Sequence, residues 1–396
     1  MKDEQRRVLC WGSAAYTVRN FPKIGGLEIV KDKFYPEDTA LLNASVQLSN
    51  IQSGLKLKWE LFDSRGRLVF SRSDDAVASG KYNLTAEIPR KIIISQGHEI
   101  RISLWEGANK LDGIKQRIYF LPDRNYDEFQ FSSWNGGSLT WKESSFYPIV
   151  YQQLEKVGIT NVIEGYLNRG SLESITEHGY WMYASNIWYN MNFTFLNMLV
   201  VALKDVPSFV DVKYEEKKSL YNATKDKKYL IREPSLYDPI YRMNLEKKVK
   251  SDVELAVSWG GAYAYVVGDE MSLTNYVEYF DYDFSEYSQA EFRNWCQGKY
   301  GSIAQLNALW GTNYTSWQDI VPLTLEEARI NNKPAPWADF RTFTDDGMVD
   351  FFKFVSNTVK SVDPNGKLGI SGTQKPAAAN GYDYWKWAKN GIFEFM

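Results

Sequence analysis

Near the middle of the chain the apolar run "AYAYVV" (262–267) meets Gly268 and then stops on two adjacent acids, Asp269 and Glu270. β-Branched and aromatic residues in such a run read as a buried strand. A buried strand that ends on carboxylates has three readings. The acids are a turn signal, a salt-bridge pair, or one half of a site that moves protons. Paired carboxyls are the usual means of general acid–base work when a site must hold one proton and lack another. The residues by themselves leave all three readings open.

Other chemistries find little support. The two histidines, His98 and His178, stand in no HExxH or comparable ligand spacing. No GxSxG elbow accompanies them, so a serine triad is not expected. The two cysteines, Cys10 and Cys296, are too few and too far apart to organise a disulfide framework or a zinc cluster. No metal and no cofactor are expected. Net charge is -3 without a long basic run, which argues against a nucleic-acid partner. The longest apolar run, "FLNMLVVAL" (195–203), is too short to span a bilayer, so no membrane partner is expected. "MKDEQRRVLCWGS" is not a signal peptide. Aromatic residues make up 15% of the chain, more than a plain core requires. Rigid, half-polar rings suit flat hydroxylated ligands such as sugars, although packing accounts for them as well.

The elements that position these residues fall into two patterns. Residues 26–122 alternate with period two, as in "LKLKWELFD", "KYNLTAEIP", "HEIRISLWEG" and "GIKQRIYFLP". Short strands at regular spacing predict an immunoglobulin-like β-sandwich. Residues 1–25 read as a linker or the end of a preceding segment. "PDRNYDE" (122–128) is a polar boundary. From 129 to 396 strands alternate with helices, which implies a parallel sheet. Strands are expected near 129–134, 160–166, 180–185, 262–269, 367–373 and 391–396. Between them a helix opens at Asp238-Pro239, and capping boxes pair Ser288 with Glu291 and Ser302 with Gln305. A Lys-rich stretch at 187–232 reads as an irregular insertion. No GxGxxG follows the first strand, so a (β/α)8 barrel is preferred to a dinucleotide-binding sheet.

The stretch "EFRNWCQGKYGSIAQLNALWGTNYTSWQDIVP" (291–322), continued by "WADFRTFTDD", resembles the glycoside hydrolase family 42 β-galactosidases. The resemblance spans about 129–396 and is most specific over 291–343. It implies a (β/α)8 barrel and retaining hydrolysis of β-galactosides or related β-linked glycans, with an oligosaccharide or polysaccharide as substrate. It places the acid/base at Glu270, closing the fourth strand. Family members normally carry Asn before that Glu, and here Asp269 stands there. An ionised Asp cannot donate the hydrogen bond that an Asn amide donates to the sugar. The cysteine cluster of the family is absent from "MSLTNYVEYFDYDFSEYS" (271–288), so the resemblance brings no metal.

Barrel sites lie at the carboxyl ends of the strands. Trp134, ending the first strand, is a candidate sugar platform, and Asn186, just past the third, a candidate hydroxyl ligand. Each has a packing or turn role as its rival. Retaining chemistry needs two carboxyls about 5 Å apart. The nucleophile of this clan closes the seventh strand, and the sequence is expected to hold only the first six. The chain therefore reads as a truncated piece, inactive alone, with its nucleophile beyond residue 396. Glu394 is the rival nucleophile. The alternative function is a non-catalytic carbohydrate-binding relative of the same fold. Oligomers are compatible with the family. An extracellular or periplasmic location is expected if the full-length protein carries a signal peptide.

Overall fold

The computed structural model describes residues 21–64, 66–93, 95–121, 124, 126–127, 131–134, 153, 156–159, 161–164, 181–184, 214–262, 264–269, 273–274, 279–371, 381 and 383–394. The chain divides into two compact units, residues 1–122 and 123–396.

The first unit is β-rich. Strands β1 (Lys23–Ile29), β3 (Leu41–Ser49) and β6 (Gly80–Glu87) form an antiparallel sheet in the order β1-β3-β6. A five-stranded sheet has the order β2-β8-β7-β4-β5, from β2 (Lys33–Phe34), β4 (Leu55–Asp63), β5 (Leu68–Ala76), β7 (Gly97–Glu106) and β8 (Asn109–Phe120). The period-two pattern explains why these segments pair. In β4, Leu55, Leu57, Trp59 and Leu61 are buried while Lys56 is exposed. The two sheets share one core, in which Leu42, Val46 and Leu48 of β3 meet Trp59, Ile102 and Leu104. Burying side chains of this size stabilises by roughly 1.5–3 kcal/mol each. Two hairpins form, β4-β5 and β7-β8. The linker expectation for 1–25 is corrected at its end: β1 begins at Lys23. Gly25 and Gly26 conceal that strand in the sequence, because neither carries a side chain to alternate. Its register also shifts between Ile24 and Gly26.

In the second unit β9 (Ser132–Trp134), β10 (Asn161–Glu164), β11 (Trp181–Ala184), β12 (Ala264–Asp269) and β13 (Leu368–Ser371) form one parallel sheet. Their spatial order follows the sequence from β9 to β13, without the reversal of a doubly wound sheet. The helices are α1 (Tyr214–Thr224), α2 (Pro239–Val257), α3 (Glu286–Tyr300), α4 (Ile303–Trp310), α5 (Leu325–Ile330), α6 (Pro334–Val362) and α7 (Tyr384–Lys389). In α2 the buried positions Tyr241, Leu245, Val249, Val253 and Ala256 recur every three or four residues, one stripe of a helix. Asp238 caps it, accepting from the Ile240 N–H at 2.8 Å.

Several expectations need correction. The stretch 187–232 is not irregular throughout. Its residues 214–224 form α1, which buries only Tyr214 and Tyr221, against the rings of Phe280 and Tyr282. Two apolar anchors seven residues apart are too sparse a pattern to read. Ser288 is not a cap. Helix α3 starts one turn earlier, and Ser285 accepts from the Ser288 N–H at 3.2 Å. Ser302 caps α4 as expected, and Gly301 and Gly311 end α3 and α4 with φ of 68° and 66°, where a side chain would be strained. Residues 391–394 form no strand, but the Glu394 N–H donates to the Leu368 carbonyl at 2.8 Å.

Candidate active site

Strand β12 is central in the described sheet, hydrogen-bonded to β11 on one side and β13 on the other. Strands inside a parallel sheet characteristically read as such near-continuous apolar runs. Its amino end is pinned. The Tyr265 hydroxyl donates to Asp363 at 2.7 Å, and the Arg124 guanidinium grips both Asp363 oxygens at 2.8 and 2.7 Å. Gly261, with φ of +84°, supplies the turn into the strand. A Cβ there would lie 3.1 Å from the Arg124 guanidinium carbon. The opposite, carboxyl end of the strand is Asp269, paired in register with Ser371 of β13.

The carboxyl ends of the five strands thus carry Trp134, Glu164, Ala184, Asp269 and Ser371. Of the sequence candidates, Trp134 and Asp269 have backbones at this edge. Glu270, the residue after Asp269, and Asn186, two residues past β11, lie outside the described residues. Glu164 was missed. Its signal was present, an apolar run, "NVIE", that also stops on an acid. Glu394 sits at the other edge. Its carboxylate accepts from the Leu368 N–H at 2.9 Å and pairs with Lys360 at 2.6 Å. Leu368 opens β13, so Glu394 is occupied at the amino end of the sheet, remote in register from the Asp269 end.

The chain beyond β12 is anchored by buried polar groups. Arg232, 1% exposed, donates through Nε to the Leu273 carbonyl at 3.3 Å. Its own N–H donates to Asp283 at 3.0 Å, and Asp283 also accepts from the Ser285 N–H and hydroxyl at 2.8 and 2.9 Å. Burial raises the Asp283 pKa against those hydrogen bonds. Asp281 accepts from the Tyr279 hydroxyl at 2.9 Å, the Leu325 N–H at 3.0 Å and the Trp337 indole at 3.1 Å. Burial lowers the Arg341 pKa, with Asp281 opposing. One helical turn further along α6, burial pushes Asp345 up to about 7. None of these groups stood out in the sequence, because they are scattered over more than a hundred residues. Phe280, Tyr282 and Phe284 are packed in the core. Among the described residues, no group of three or more His, Cys, Asp and Glu is placed to hold a metal ion.

Residues 237–393 match the profile of the glycoside hydrolase family 42 beta-galactosidases. A beta-galactosidase of Planococcus sp. (strain L4) is 32% identical over 123 residues, which is 28% of this chain and 18% of the relative. One from Arthrobacter sp. is 29% identical over 112 residues, 27% of this chain and 16% of the relative. The matched segment therefore spans less than a fifth of the length of these relatives. A crystal structure of the beta-galactosidase from Rahnella sp. R3 superposes with a TM-score of 0.47 at 14% identity, over 69% of this chain and 40% of that one. Over residues 237–393 the chain carries the sequence pattern of the family 42 beta-galactosidases, and the resemblance read from its motifs holds there.

Proposed function

We propose that this chain is part of a retaining β-galactoside hydrolase in which Glu270 is the general acid/base. One observation carries the reading. Glu270 directly follows the last residue of the fourth of five sequentially ordered parallel strands, inside the segment that matches the family. Sequential order is what the first part of a (β/α)8 barrel requires, and barrel sites lie at the carboxyl ends of the strands. Residues 129–396 are accordingly read as an incomplete barrel, and residues 26–122 as an immunoglobulin-like sandwich. The acid must keep its proton, and an apolar strand with a neighbouring carboxylate favours that. Trp134 and Asn186 are assigned to sugar contacts at the same edge. Asp269 contacts the sugar as an acceptor while ionised.

Glu270→Gln tests this in the shortest active protein that contains the sequence. Turnover of galactosides with poor, alkoxide-like leaving groups is expected to fall by about 10²–10⁴-fold. Activated aryl galactosides, which need little protonation, are expected to lose far less in the first step. Unchanged lactose hydrolysis would sink the assignment. Asp269 in the Asn position favours a second reading, a non-catalytic carbohydrate-binding relative. Saturable calorimetric binding of lactose without turnover in any form of the protein would select it.

A further inference from the structure

In the second unit, the amino end of α2 and the flanks of α3 and α6 line an open cleft of about 520 Å³. Its walls include Tyr237, Arg242, Glu291, Trp295, Asp346 and Asp350, and none of its lining residues belongs to the parallel sheet. We propose that this cleft binds a neutral hydroxylated ring, one sugar unit of a glycan, at a site separate from the proposed catalytic edge. The proposal rests on the carbohydrate reading above for the class of its ligand.

Four observations carry it. The charges in the walls are already paired or exposed. Arg242 Nη2 donates to Asp350 at 2.8 Å, and Asp346 accepts from the Trp295 indole at 2.9 Å and pairs with Lys386 at 2.7 Å. Second, the walls carry three carboxylates against Arg242 and the neighbouring Lys386, so acceptors exceed donors. Hydroxyl groups supply the missing donors, whereas an anionic ligand would add to the excess negative charge. Third, the Tyr237 hydroxyl makes no hydrogen bond with the protein, although burial strongly raises its pKa. It lies against Gly347, another wall residue, where even a Cβ would collide with it. Tyr237 is half-buried, so its hydroxyl stands at the wall within reach of water, and a ligand hydroxyl would take that water's place. Finally, the walls are rigid. The Tyr237 and Phe343 rings stack at 5.2 Å, and the Trp295 plane is fixed by its bond to Asp346. Pre-formed aromatic walls with a few convergent polar groups describe small-ligand sites in general.

Fluorine NMR of fluorotryptophan-labelled protein, with Trp295 assigned from a Trp295→Phe variant, tests this in a Glu270→Gln background. Lactose is expected to shift the Trp295 resonance saturably, and galacturonate is not. Tyr237→Phe, which removes only the hydroxyl, is expected to weaken that binding by about five- to tenfold. Asp350→Asn, at a side chain that is 61% exposed, is a second variant and is expected to weaken it as well. The proposal fails if lactose leaves Trp295 unmoved, if the diamine cadaverine moves it and lactose does not, or if both variants bind lactose like the parent. Failure of the hydrolase reading is separately visible as Glu270-independent turnover, and a Trp295 shift would survive it.

Discussion

Arg124 and Asp363 are 239 residues apart and hold the amino end of β12 through two parallel hydrogen bonds. The Asp363 side chain is only 3% exposed, and with Arg124 gone its charge would keep Tyr265 as donor but no cation. Removing one partner of a buried ion pair costs about 3–5 kcal/mol. Arg124→Met is therefore expected to lower stability by that amount in chemical denaturation. A loss below about 1 kcal/mol would show that the pair is dispensable. Asp345 acts in the opposite sense. Its folded pKa, about 7, is above its ordinary value of 3.8, so the unfolded chain gives up the proton first as pH rises. Its contribution to stability is full below about 3.8 and is lost as pH climbs through 7. Asp345→Asn removes this penalty. The variant is expected to gain stability relative to the parent between pH 4 and pH 7.5, by about 2–4 kcal/mol at the upper end. Parallel curves for the two proteins across that range would contradict it.

At the level of elements, β7 holds a buried titration that adds to the acid limb of the β-rich unit, beside the lowered carboxylates of Glu28, Asp38 and Glu99. His98 is 2% exposed, edge-on to Phe120 at 4.8 Å, and burial pushes its pKa down to about 4 from an ordinary 6.5. The folded strand keeps the ring neutral while the unfolded chain protonates it first. Stability from His98 is thus complete above pH 6.5 and is lost as pH falls toward 4. The shift corresponds to about 3 kcal/mol. His98→Leu is expected to flatten the loss of stability of this unit between pH 6.5 and 4. An acid limb of unchanged slope would place the titration elsewhere. Elements also differ in how plainly their residues announce them. Helix α2 has a proline, a cap and a regular stripe, and each could be read directly. Helix α1 rests on two tyrosines that matter only because Phe280 and Tyr282 lie against them.

At the scale of the whole molecule, each unit carries its own core. Among the described residues, the apolar side chains shared between the two sheets of the first unit come from the segment β1 through β8 and from no later one. Residues 21–122 expressed alone are therefore expected to unfold cooperatively with β-type circular dichroism. A non-cooperative melt of that piece would show that its stability depends on the rest of the chain. In the second unit the sheet order runs with the sequence, so chain order alone brings the carboxyl ends of β9, β10, β11, β12 and β13 to one edge.

The strands of period two, the alternation of strand and helix, the helix starts at Asp238 and Ser302, and the family resemblance around 291–343 were legible in the residues alone. These are local signals, legible because a cap or an alternating face acts within a few residues. Tertiary structure alone decided that Glu394 is spent at the amino edge of the sheet, that Arg124 reaches Asp363, and that Arg232, Asp281 and Asp283 anchor the chain beyond β12. It also decided that Tyr237, Trp295 and Asp350 line one cleft. Such groups meet only when distant segments pack. Burial, which shifts the pKa values of Asp283 and Arg341, is a property of the folded neighbourhood and not of any stretch of residues.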